Sequence, residues 1–190
     1  MSAFNDLAQN LVHIALQLCS FIMLLRLLLQ WVQADFFNPL SQSIFRITAP
    51  LVEPLHRFFP TFGTFNTAAL IGAFVFKWIY VCILIFTGQR LFNELPSYLL
   101  ISIYEIFVSL VDIYFWGIII IAVASWLDAL QHPHVSLISQ IVEPYLGPFR
   151  RLIPPIGIID ISSMVALIGL IIIRDRILPT LKYTVESILF

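Results

Sequence analysis

Charged residues are scarce in this sequence. Asp, Glu, Lys and Arg make up 11% of it, against roughly 25% in ordinary soluble domains. With 60% hydrophobic residues and a mean hydropathy of +0.96, a chain of 190 residues has more apolar surface than a water-soluble fold of that size can hide. The net charge of -1 and the absence of a basic block argue against a nucleic-acid partner. Cysteine is nearly absent: Cys19 and Cys82 each lie inside an apolar run, which excludes a disulfide framework and a thiolate metal site. The first ten residues contain no Lys or Arg, so the basic start of a signal peptide is missing. The first apolar run is therefore expected to remain as a helix. Phosphate loops and the G-x-S-x-G, H-E-x-x-H and C-x-x-C motifs are also lacking. His13, His56, His132 and His134 are scattered without further ligands. No catalytic, cofactor-binding or metal-binding residue is assigned.

What is present is long apolar segments. A membrane span takes about 20 mainly apolar residues, and four runs qualify: 11–31, 68–87, 98–126 and 158–181. The expected fold is all-α, an integral membrane bundle of about four transmembrane helices. Basic residues do not orient it, because Arg46, Arg57, Arg150 and Arg151 fall on one side and Arg90, Arg174, Arg176 and Lys182 on the other.

The chain also repeats itself. A constant shift of 94 pairs Pro39 with Pro133, Pro50 with Pro144, Pro54 with Pro148, Arg57 with Arg151, Pro60 with Pro154 and Gly63 with Gly157. Trp31 pairs with Trp126 after a slip of one residue. The reading is a duplication of span, proline-rich segment and span, with one copy in residues 1–95 and the other in 96–190. An even number of spans per copy gives both copies the same orientation, so both proline-rich segments face the same side.

Within 40–59, Pro50 and Pro54 each remove a backbone donor, which predicts a short helix over 40–47 and a new turn from Pro50 rather than one helix. Phe45, Ile47, Leu51, Leu55 and Phe58 can face acyl chains while Arg46, His56 and Arg57 reach phosphates, as in a helix lying at a membrane interface. A plain connector is the other reading. Gly63 and Gly157 would turn the chain back, and Asn66 and Asp160 would cap the helices that follow.

At these residues the chain resembles the YggT family of small bacterial membrane proteins. The resemblance is carried by Arg26 with Gln30-Trp31, by Asp35-Phe36-Phe37-Asn38-Pro39, and by the doubled motifs P-x3-P-x-H-R-x2-P-x2-G-x2-N (from Pro50) and P-x3-P-x-R-R-x2-P-x2-G-x2-D (from Pro144). The copies differ: the second has Arg150 for His56, Asp160 for Asn66, Ile121 for Arg26 and His132 for Asn38. The resemblance implies a multi-pass protein of the bacterial inner membrane. It also implies loose links to osmotic or extracytoplasmic stress and, among distant relatives, to division or plastid organisation. It hands over no catalytic mechanism.

Ionisable groups within apolar runs are costly, about 2.5–3.5 kcal/mol each at a helix centre on insertion scales. Arg26 shares a helical face with Gln30 and Gln33, opposite His13, Gln17 and Ser20. It is expected to snorkel or pair. Lys77 lies mid-run. Ser102, Glu105, Ser109 and Asp112 form one stripe, from which Glu105 or Asp112 can neutralise Lys77 or Arg26. Arg174-Asp175-Arg176 reads as the solvated end of the fourth run.

Two functions follow. The first is a non-enzymatic inner-membrane protein whose proline-rich segments engage lipids and membrane or envelope proteins. The second is a small ion transporter or channel component, with Arg26, Lys77, Glu105, Ser109 and Asp112 along its path. So thin a wall of spans would call for a homo-oligomer.

Overall fold

The computed structural model describes residues 2–86, 95–152 and 161–189. Every regular element among them is helical: α1 (Ser2–Trp31), α2 (Pro39–His56), α3 (Thr67–Phe86), α4 (Leu95–Trp126), α5 (Pro133–Leu152), α6 (Ile161–Ile172) and α7 (Leu178–Leu189). A π-helical turn, Ile173–Ile177, joins α6 to α7 in one rod, and both flanking residues keep right-handed helical angles. The order long helix, proline-bearing helix, helix therefore occurs twice.

Local chemistry explains the boundaries. α1 and α4 end alike, with Gln33 and Asp128 at φ 52° and 53°. The amide of the next residue bonds back five positions: Ala34 to the Leu29 carbonyl and Ala129 to the Ala124 carbonyl, each at 2.9 Å. This is the left-handed cap that satisfies the last free carbonyls of a helix. Asn38 caps α2, its Oδ1 accepting from the Leu40 amide at 3.0 Å with Pro39 at the first helical position. The expected turn at Gly63 is present: φ is +60°, and Phe62 and Phe65 exchange backbone hydrogen bonds across it. Asn66 caps α3 as expected, accepting from the Ala69 amide at 2.9 Å. Pro154, Gly157 and Asp160 lie outside the described residues.

The expectation for the prolines needs correction. α2 runs unbroken through Pro50 and Pro54, and α5 through Pro144 and Pro148. Spaced four apart, each pair lies on one stripe, and all four prolines are on the exposed side. The carbonyls that lose a partner four residues earlier, at Arg46 and Pro50 in α2, belong to exposed residues. Their unmet hydrogen bonds can be made outside the bundle, which removes the main reason to break the helix.

Both proline helices, here called arms, bury one narrow seam. α2 buries Ser41, Ile44, Thr48 and Val52, and α5 buries Leu137, Ile141, Val142 and Leu146. They lie at the same end of the bundle, because the Asn38 Nδ2 donates to the Pro133 carbonyl at 2.7 Å and the Asp35 amide to Gln140 Oε1 at 2.9 Å. Ile47, Leu51 and Phe58 point outward as expected, whereas Phe45 and Leu55 are half-buried against the core.

Two cores hold the bundle. In the first, Met23, Leu24, Leu27 and Leu28 of α1 pack on Ala68, Ala69 and Ala73 of α3, whose small side chains let the helices approach. In the second, Ile118 and Ile121 meet Val142, Leu146, Ala166 and Leu170. Gly117 allows α5 to lie against α4: a Cβ there would stand 2.6 Å from Val142 Cγ1. Two helical stretches, Leu7–Trp31 and Tyr98–Trp126, are long and apolar enough to cross a membrane, and Thr67–Ile83 is apolar but shorter.

Candidate functional site

The polar stripe of α4 divides. Ser102 is fully buried and spends its hydroxyl on the Tyr98 carbonyl at 2.8 Å. Ser109 does the same with the Glu105 carbonyl at 2.9 Å, but it borders a cavity of about 430 Å³. Lys77 reaches that cavity from α3, with its Nζ 3.6 Å from Glu105 Oε2. The pair is lopsided in exposure, 8% for the lysine side chain and 40% for the glutamate. Asp112 and, from α1, Gln17 and Phe21 complete the wall.

A second, apolar cavity of about 340 Å³ continues toward the arms and shares Phe21 and Asp112 with the first. Together they form a cleft between α1 and α4, polar at one end and lined by Leu25, Ile113 and Trp116 at the other. Gln17 illustrates what a single helix hides. Its place opposite Arg26 puts it on the cleft face, and nothing local shows that this face meets α4.

Asp112 has a partner absent from the sequence reading. Arg174 Nε lies 3.4 Å from Asp112 Oδ1, and the guanidinium sits 4.7 Å from the Phe115 ring. That carboxylate oxygen is buried and accepts no hydrogen bond among the described residues, so the contact is one of charge alone. The expected solvated end at Arg174-Asp175-Arg176 is therefore corrected. The helical rod continues to Leu189, and of these three residues Asp175 and Arg176 are exposed while Arg174 is half-buried. The π turn, closed by the Leu178 amide on the Ile173 carbonyl, carries Arg174 opposite the middle of α4. Single π turns inside helices often mark functional positions.

Arg26 is not in the cleft. It is 8% exposed, and its Nη1 donates to Thr48 Oγ1 at 2.8 Å and to the Phe45 carbonyl at 3.2 Å. Its guanidinium lies 5.0 Å from the Phe45 ring, and Nε has no partner among the described residues. It is paired inside the bundle, as one of the two expectations had it, but with neutral groups rather than an acid, and it fastens the first arm to α1. The polar face it shares with Gln30 has the same use, since Gln30 Oε1 accepts from Asn66 Nδ2 at 2.7 Å. In the motif residues beyond, the Pro60 carbonyl accepts from Thr67 Oγ1 at 2.7 Å, Arg57 ends α2, and Arg150 Nη1 donates to Glu143 Oε2 at 2.7 Å. No group of three or more metal-ligating side chains occurs among the described residues.

A profile of the CCB3/YggT family matches residues 6–86 and again 100–181, most of the chain in two segments. The chain belongs to this family. Its relatives match over most of its length. The chain is 35% identical to the uncharacterized protein PA0392 of Pseudomonas aeruginosa over 183 residues, covering 95% of this chain and 93% of that one. It is 28% identical over 179 residues to the uncharacterized protein YggT of Escherichia coli K12, covering 94% and 93%. A protein of Vibrio alginolyticus is 32% identical over 152 residues, covering 78% and 81%. No solved structure matches the chain.

Proposed function

We propose that this protein is a non-enzymatic, multi-pass protein of the bacterial inner membrane. Four spans, supplied by α1, α3, α4 and the α6–α7 rod, hold the two arms along one leaflet, where they engage lipids and membrane or envelope proteins. One observation carries this reading. Both arms lie at the same end of the bundle, bury only a narrow seam, and in the first arm turn Ile47, Leu51 and Phe58 outward beside Arg46 and Arg57. Such a face is costly in water and favourable at a headgroup–acyl boundary, where apolar side chains enter the hydrocarbon and guanidinium groups meet phosphates. The stripe Leu7, Leu11, Ile14 and Leu18 along α1 is exposed in the same way and fits acyl chains. A role in osmotic or extracytoplasmic stress, or in envelope organisation, follows from the family resemblance.

Spin labels at 47, 51 and 58 in the reconstituted chain test the depth of the first arm. The expected result is strong relaxation by membrane-dissolved oxygen. Relaxation by a water-soluble reagent at all three positions would sink the reading. In cells, deletion is expected to lower survival of osmotic shock, with rescue by the intact chain but not by Leu51→Asp.

The cleft favours a second reading, a small ion transporter, because Gln17, Lys77, Glu105, Ser109 and Asp112 line one cavity. Sites at the meeting of two repeats are common in transporters. Cysteines placed at 109 and 112 would react with a membrane-impermeant maleimide on that reading and stay unmodified on the first.

A further inference from the structure

A separate cavity of about 810 Å³ opens where the end of α1 meets the outer side of α5. Trp31 approaches from α1, and Gln140, Glu143, Gly147, Arg150 and Arg151 from α5. The charges are unequal. Arg150 is held by Glu143 at 2.7 Å, which cancels one positive charge against one negative. Arg151 forms no ion pair among the described residues, and the described lining, with Arg150, Arg151 and Glu143, carries one net positive charge. Gln140 accepts the Asp35 amide through Oε1, which leaves its Nε2 donors for another acceptor.

We infer that this cavity binds a phosphate group bearing one negative charge, the chemistry shared by a phospholipid headgroup and a soluble phosphate. The inference rests on the reading of the arms as interfacial, which puts the cavity at headgroup depth. Arginine suits the task because its planar fork matches phosphate oxygens and stays charged.

The duplication shows that only the second arm has this arrangement. The same shift of 94 puts Glu53 at the place of Gly147, His56 at that of Arg150 and Ala49 at that of Glu143. The first arm thus carries a carboxylate where the second has no side chain. Even a Cβ at Gly147 would come within 3.3 Å of Glu143 Oε1. The site also crosses the seam between the copies, since Trp31 belongs to the first and the two arginines to the second.

The test counts phosphatidylglycerol molecules retained by the full chain in detergent, by native mass spectrometry during a lipid titration. Arg151→Gln is expected to weaken binding about fivefold, the factor for one basic residue near an anionic lipid. Gly147→Glu, which imports the carboxylate of the first arm, should weaken it at least as much. Arg176→Gln, at an exposed arginine that does not line the cavity, should change it much less. Displacement of the lipid by sodium phosphate would support the site and assign it to soluble phosphates; resistance would assign it to lipid. Unchanged binding by Arg151→Gln, or an equal loss in Arg176→Gln, would overturn the inference. If Gly147→Glu fails to fold, Arg151→Gln decides alone. Spin labels at headgroup depth together with unchanged Arg151→Gln binding would remove this site and leave the proposed function standing. Labels in water together with Arg151-dependent binding would do the reverse.

Discussion

Arg26 and Lys77 are both cations buried in apolar helices, yet they are stabilised by opposite means. Arg26 has neutral partners: a hydroxyl, a carbonyl and an aromatic ring. Thr48 serves it twice, donating to the Ile44 carbonyl at 2.6 Å while accepting from the guanidinium. Thr48→Val keeps the shape and removes the acceptor, and should lower stability by about 1–3 kcal/mol, the cost of an unsatisfied buried group. Adding Arg26→Met should restore part of that loss, read as the thermal midpoint in detergent. Lys77 has an ionic partner, and the pair predicts an asymmetry. Glu105→Gln leaves a lysine that is 8% exposed without its counter-charge, whereas Lys77→Met leaves a glutamate that is 40% exposed and able to reach solvent. The glutamate variant should therefore be the less stable, by about 1–3 kcal/mol, the cost of leaving a buried polar group without its partner. Equal losses, or the reverse order, would mean that the 3.6 Å contact does not stabilise the lysine.

At the scale of elements, close approach decides which helix packs where. Gly117 lets α4 and α5 lie close together, and Gly117→Ala would drive a methyl group into Val142. Overpacking of this kind typically costs about 1–3 kcal/mol. The pair Gly117→Ala with Val142→Ala should recover much of it, again as a midpoint. The arms make a second prediction. If α2 stays helical because its unpartnered carbonyls face outward, Pro50→Ala should add an amide that bonds to the Arg46 carbonyl. That new amide should exchange slowly with deuterium, and a fast one would indicate a break at position 50. The π turn belongs to this scale as well. One extra residue between α6 and α7 brings Arg174 to Asp112, and no propensity along 161–189 announces it.

At the scale of the whole molecule, the two copies are joined at the arm end and along α3 and α4, with the cleft between α1 and α4. Asn38 serves the junction and its own helix together, capping α2 and donating to the Pro133 carbonyl. Asn38→Ala should cost about 1 kcal/mol through the cap, and the lost bridge should add to it. The second copy has His132 at the corresponding place, so His132→Ala is expected to cost less.

The helical class, the turn at Gly63 and the cap at Asn66 follow from the sequence by itself, because each depends on backbone chemistry within a few residues. Membership of the family is also written there, in the doubled proline motif. Tertiary structure alone decided that α2 and α5 pass unbroken through their prolines, that Arg26 binds Thr48 rather than an acid, and that Gln17 shares a cavity with Lys77, Glu105 and Asp112. Each of those outcomes depends on which helix faces lie opposite each other and at what depth. Spacing along one helix names a face, but only the packing of the others determines what that face meets.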